Sequence, residues 1–158
     1  MMLNHNFFQD RQFFLHLLEL ELKRSLRYQS FTSVLLIELP SSRLSTPAIL
    51  ERVANSLSSQ IRVTDVIGTT RENMITLILL NCDNHSSSEV ANRVSSWISQ
   101  YFGSESVDGV SGSRSGVGTA CFPTHATDSE HLLSAASEML EASRRQPEIE
   151  LKSESLLS

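Results

Sequence analysis

Residues 31–39 read FTSVLLIEL, a nearly continuous apolar run containing β-favouring residues. Strict alternation would mark a strand with one wet face. A run that is apolar on both sides of the pleat marks a central strand buried on both. Such a strand needs neighbours in a sheet and helices over its faces, and the rest of the chain has to supply them.

Helical patterns lie on either side of it. Within residues 7–28, Leu15, Leu18, Leu22 and Leu26 recur every three or four positions. This marks one face of a helix, widened by Leu17 and Leu20 and backed by polar Glu19, Lys23 and Arg24. Thr46-Pro47 predicts a helix start, with Thr as N-cap and Pro at the first helical position. Leu50, Val53, Ala54, Leu57 and Ile61 form its inner stripe.

Residues 65–69 and 74–80 read as two short strands of a hairpin. Ser86-x-x-Glu89 is a capping box opening a helix with Val90, Val94, Trp97, Ile98 and Tyr101 on one side. Residues 102–113, rich in Gly and Ser, predict a loop, and RSGVGTACF (114–122) a small-residue strand stopped by Pro123. A second capping box, Thr127-x-x-Glu130, precedes a helix carrying Leu132, Leu133, Ala136, Met139 and Leu140.

This order predicts an α/β (α+β) fold, a mixed central sheet flanked by helices with a ferredoxin-like core. Residues 1–146 form one domain, and 147–158 a flexible polar tail.

Composition narrows the function. The 158 residues carry 18 acidic and 13 basic side chains, a net charge of −5. That balance opposes broad nucleic-acid binding, which needs a basic stripe, yet it permits a small anionic ligand held by local arginines. No run approaches the roughly 18 apolar residues of a membrane span, so no membrane insertion is expected. Asp10 and Arg11 interrupt the apolar N-terminus, so no signal peptide is read there, and a cytoplasmic location is expected. Cys82 and Cys121 have no histidine cluster beside them; no metal is expected, and both thiols should be reduced.

Three stretches in register resemble the GGDEF family of diguanylate cyclase domains. LLELELKRSLRYQSFTSVLLIEL (17–39) is similar to the family's leading helix and first strand. RVTDVIGTTRENMITLILL (62–80) is similar to the segment bearing its name motif, and SGVGTACFPTHATDSEHLLSAASEMLEASRR (115–145) to its closing strand and helix. The resemblance implies a nucleotidyl-cyclase palm-like fold over nearly the whole chain.

Its departures bear on activity. In active members a Gly-Gly-Asp/Glu-Glu-Phe hairpin holds the GTP phosphates and the metal, glycines letting backbone approach phosphate and acids binding Mg²⁺. Here the aligned residues are Arg71, Glu72, Asn73, Met74 and Ile75. The Asp-x-Asp of the first strand appears as Glu38-Leu39-Pro40. The guanine-reading segment is replaced by SSRLSTPAILERVA (41–54), and the closing Ala-Lys by Ala142-Ser143. The resemblance therefore implies a degenerate domain with no catalytic residues, no cofactor, and no enzyme activity.

The resemblance also implies a ligand. Arg62-Val63-Thr64-Asp65 stands just before the altered tip, where the family has an inhibitory Arg-x-x-Asp site for cyclic di-GMP. An arginine fork suits guanine O6 and N7 or a phosphate, and a carboxylate suits the guanine N1–H and amino edge. Arg93, on the helix after the hairpin, is the candidate for an added arginine. The pair also has a plain structural reading, in which Asp65 caps the turn and Arg62 is its surface ion-pair partner.

Elsewhere, Arg71, Arg114, His125 and His131 read as surface residues, and Trp97 and Tyr101 as core. Two functions are expected from these features: a cyclic di-GMP receptor signalling through an unidentified protein partner, or a nucleotide-independent interaction module. A homodimer is compatible with either.

Overall fold

The structure is a computed structural model that describes residues 8–39, 46–71, 74–104 and 116–145. In chain order its elements are β1 (Phe8–Gln9), α1 (Arg11–Tyr28), β2 (Thr32–Glu38), α2 (Pro47–Leu57), β3 (Val66–Gly68), β4 (Met74–Leu80), α3 (Asn84–Ser104), β5 (Gly116–Phe122) and α4 (Ser129–Arg145). The five strands form one sheet in the order β1-β3-β4-β2-β5. The apolar run is indeed near its middle: β2 pairs antiparallel with β4, Thr32 opposite Leu80, and with β5, Thr32 opposite Phe122. β1 pairs parallel with β3, so the sheet is mixed. The order β3-β4-β2-β5, all antiparallel, is the ferredoxin-like arrangement.

Side chains of β2 alternate between two cores. Leu35 and Ile37 pack with Leu50, Val53, Ala54 and Leu57 of α2 and with Val94 and Ile98 of α3. Val34 and Leu36 pack with Phe14, Leu18 and Leu22 of α1 and with Leu132, Ala136 and Leu140 of α4. Burial on both faces accounts for the lack of polar alternation in this strand. At Gly118 of β5 an added Cβ would run into backbone atoms of Ala136 and Leu140, so α4 lies directly against the strand. No helix among the described residues is long and apolar enough to cross a membrane.

The leading helix starts at Arg11 rather than residue 7, because Asp10 accepts the Phe13 N–H at 2.9 Å as its N-cap and Phe8–Gln9 joins the sheet. Its buried stripe is Phe14, Leu18, Leu22 and Ser25: Leu18 and Leu22 are buried as expected, whereas Leu26 is 72% exposed. The last turn is oriented by a Ser25–Thr32 hydroxyl hydrogen bond to β2. Of the apolar residues of α4, Leu132, Ala136 and Leu140 are buried, whereas Met139 is 53% exposed.

Neither serine–threonine capping box does the capping. Asp83 accepts the Ser86 N–H at 2.9 Å to start α3, and Asp128 accepts the His131 N–H at 2.8 Å to start α4. A carboxylate is the stronger acceptor and also favours the positive end of the helix dipole. Thr46 caps α2 as expected. Helix α3 runs on to Ser104, into the predicted loop; the rest of that loop, Pro40, Arg114 and the tail 147–158 lie outside the described residues.

The cap of α4 has a pH signature. His131 Nδ1 sits 2.7 Å from Asp128 Oδ2, and the carboxylate hydrogen bond and charge push the imidazole pKa above its usual 6.5. The His131 N–H and ring hold Asp128 below its usual 3.8. The histidine contribution is present in acid and lost as pH rises through its raised value. The aspartate contribution is present at higher pH and lost as pH falls through its lowered value. The pair therefore stabilises most between the two. A His131→Ala variant is expected to melt below the parent near pH 5.5 and together with it near pH 8.5, roughly either side of the imidazole range. Equal gaps in melting temperature at both pH values would refute the pairing.

Candidate functional site

The chain leaves α2 through a single 3-10 turn, Ser58–Gln60, and then bends at residues 61–65 into β3. Asp65 controls this bend. Its Oδ2 accepts the Arg62 N–H at 3.1 Å, its Oδ1 accepts the Leu80 N–H at 3.1 Å, and its own N–H donates to the Arg62 carbonyl at 3.0 Å. One carboxylate thus closes the turn and ties it to the end of β4. Asp65 is only 3% exposed. Burial pushes its pKa above 3.8, against the opposing pull of the two N–H groups and of Arg62 and Arg93.

Arg62 is exposed. Its guanidinium donates to the Leu80 carbonyl at 2.9 Å, and its Nε lies 4.0 Å from Asp65 Oδ2. Arg93, two turns into α3, reaches across to the Gln60 carbonyl at 2.7 Å. Arg62, Asp65 and Arg93 line one open cavity of about 370 Å³. Its apolar wall is Ile61, Leu79, Val90 and Cys82, and Ser59 and Gln60 complete the polar side.

The cavity thus offers two guanidinium groups beside an apolar surface, a setting suited to a ligand with a flat ring and an anionic group. The Cys82 thiol in the wall is pushed up to about 11 by burial, so it stays protonated and poorly nucleophilic near neutral pH.

Ile61, expected on the inner stripe of α2, lies beyond the helix in extended backbone, and the spacing of Ile61 and Val90 carries no sign of a cavity. Gln60 carries no motif of its own, and its place two residues before Arg62 is the one signal the sequence holds for it.

The other end of the β3–β4 hairpin carries the altered motif, of which Glu72 and Asn73 lie outside the described residues. Arg71 is exposed and donates to the Ser137 hydroxyl of α4 at 2.7 Å, tying the hairpin to that helix. Met74 is 2% exposed and belongs to the α1–α4 core, while the next residue, Ile75, belongs to the opposite core. Glu38 stands opposite Met74 in register, so across these strands a carboxylate faces a thioether. Among the described residues no three His, Cys, Asp or Glu side chains gather as a metal site. His125 Nδ1 accepts the Cys121 N–H at 2.8 Å and is a turn residue. Trp97, Tyr101 and Phe102 are half-buried against the α2–α3 core, Trp97 stacked on Tyr101 and Phe102 edge-on to it.

Residues 44–149 match the family model described as "Diguanylate cyclase, GGDEF domain". No curated protein matches the chain. Among solved structures, the GGDEF domain of YfiN (TpbB) from Pseudomonas aeruginosa is 18% identical with a TM-score of 0.70, covering 88% of this chain and 91% of that one. The GGDEF domain of DgcB from Caulobacter crescentus, in complex with c-di-GMP, is 13% identical with a TM-score of 0.67, covering 89% and 85%. The diguanylate cyclase SiaD from Pseudomonas aeruginosa, in complex with its activator SiaC, is 16% identical with a TM-score of 0.69; 89% of this chain corresponds to 56% of that one. At these identities the structural likeness establishes the fold alone.

Proposed function

Because the chain belongs to the GGDEF domain family, we propose that it is a non-catalytic cytoplasmic member that binds cyclic di-GMP and signals through a protein partner. The observation that carries this reading is the convergence on one open cavity of Arg62 and Asp65, from the bend before β3, and Arg93, from α3. Arg62 and Arg93 would meet the phosphates or a base edge, and Asp65 would hold the turn that presents Arg62. The ligand of the DgcB domain and the protein partner of SiaD make both halves of the proposal chemically reasonable for this fold.

Absence of cyclase activity is inferred from the hairpin. The position of a family carboxylate holds Met74, packed in the core, and Arg71 stands where a glycine would let backbone approach phosphate.

Titration calorimetry with cyclic di-GMP is the direct test. Arg62→Ala is expected to weaken binding by at least about tenfold, about 1.4 kcal/mol. The same change should cost less than about 1 kcal/mol of folding stability, since the Arg62–Asp65 pair is long and Arg62 exposed. Absence of heat from folded parent protein at about 100 µM ligand would refute the reading. Formation of diguanylate from GTP and Mn²⁺ would refute the loss of catalysis.

A second reading, a nucleotide-independent interaction module, is favoured by the outer side of α1. Phe13 (48% exposed) and Leu20 (43% exposed) lie two turns apart there. A partner that co-purifies regardless of cyclic di-GMP and of Arg62→Ala would favour it over the first.

A further inference from the structure

Resting on the cyclic di-GMP reading, we propose that Gln60, rather than Asp65, reads the base in this cavity, and that the site accepts adenine as readily as guanine. Both Asp65 oxygens already accept backbone N–H groups, from Arg62 and Leu80, and the residue is 3% exposed. Its place in the wall therefore provides turn geometry and little open acceptor surface.

Gln60 lines the same cavity at the end of the 3-10 turn. Its main chain is pinned, because its carbonyl accepts from Arg93 at 2.7 Å. Its carboxamide is lightly engaged: Nε2 donates to the neighbouring Ser59 hydroxyl at 3.2 Å, a contact easily exchanged for a ligand. A polar fork on a fixed base thus stands beside an apolar wall that includes Leu79 and Val90, against which a purine can lie.

The consequence follows from donor and acceptor chemistry. An ionised carboxylate only accepts, so it pairs with guanine N1–H and N2–H₂ but meets a lone pair at adenine N1. A carboxamide carries an acceptor and a donor side by side. Against guanine, Oε1 accepts from N1–H while Nε2 donates to O6. Against adenine, Oε1 accepts from the N6 amino group while Nε2 donates to N1. A half-turn of the amide interconverts the two arrangements, so each base is left with two hydrogen bonds. Arg62 and Arg93 then serve the phosphates, which both cyclic dinucleotides share.

The test is a pair of titrations, cyclic di-GMP and cyclic di-AMP, on the parent and on Gln60→Glu. The parent is expected to bind both with dissociation constants within about tenfold of each other. Gln60→Glu, acceptor-only, should shift the ratio towards cyclic di-GMP by at least about tenfold, even if the added charge weakens both. Parent protein that binds cyclic di-GMP but discriminates against cyclic di-AMP by about a hundredfold or more overturns this inference and leaves the receptor reading standing. An unchanged ratio in Gln60→Glu does the same. Binding of neither ligand overturns the receptor reading, and this inference with it.

Discussion

An Asp65→Ala variant is expected to lose about 2–4 kcal/mol of folding stability, with two main-chain donors orphaned, and to bind no cyclic di-GMP at concentrations that saturate the parent. The carboxylate holds the Arg62 and Leu80 N–H groups from a buried position. Alanine leaves both donors without that acceptor and opens a small void. Binding fails for a second reason, because the turn that presents Arg62 loses its closure. Urea unfolding followed by circular dichroism measures the first effect, calorimetry the second.

The comparison with Arg62→Ala separates structure from recognition. That variant should lose affinity while keeping most of its stability, whereas Asp65→Ala loses both. An Asp65→Ala protein within about 0.5 kcal/mol of the parent, well below a buried hydrogen bond to a charged group, would remove the anchoring role.

The pH dependence of this deficit has a defined sign. Burial raises the Asp65 pKa in the folded protein. The group's titration-linked stability is therefore present below 3.8 and lost as pH rises through the raised folded value. The Asp65→Ala deficit should be largest below pH 3.8 and narrow as pH rises through the raised folded value, the reverse of a surface carboxylate in a strong ion pair.

The second large effect is at Gly118, where replacement by valine is expected to cost about 3 kcal/mol or more, because overpacking against rigid atoms has no cheap relief. A side chain there meets backbone of Ala136 and Leu140 in α4, not the movable end of a side chain. To make room, α4 has to lift from β5 and give up contacts of Leu132, Ala136 and Leu140 with the sheet. In a domain of this size the change should lower the melting temperature by about 10 °C. Gly118→Ala should act in the same direction with a smaller drop. A valine variant melting within about 2 °C of the parent, less than 1 kcal/mol, would show that α4 can move away freely.

Elements set by spacing were legible without coordinates. The nearly continuous apolar run gave away β2 as a strand covered on both faces, and Thr46-Pro47 with its stripe of Leu50, Val53, Ala54 and Leu57 marked α2 and its inner side. The order of helices and strands carried the fold class. Arg62, Asp65 and Arg93 could be selected from resemblance to relatives, since that choice needs only position along the chain.

Tertiary structure decided what those residues touch. Asp65 is a buried anchor because the N–H it holds belongs to Leu80, 15 positions away, brought alongside by the β3–β4 pairing. Arg93 meets the Gln60 carbonyl across 33 positions, through the packing of α2 and α3 against the same face of the sheet. The exposure of Leu26 and the burial of Ser25 likewise follow from the hydroxyl contact with Thr32. Periodicity specifies a face because helix and strand repeats are local. Cavities and carboxylate partners depend on strand register and helix docking, which bring distant positions together.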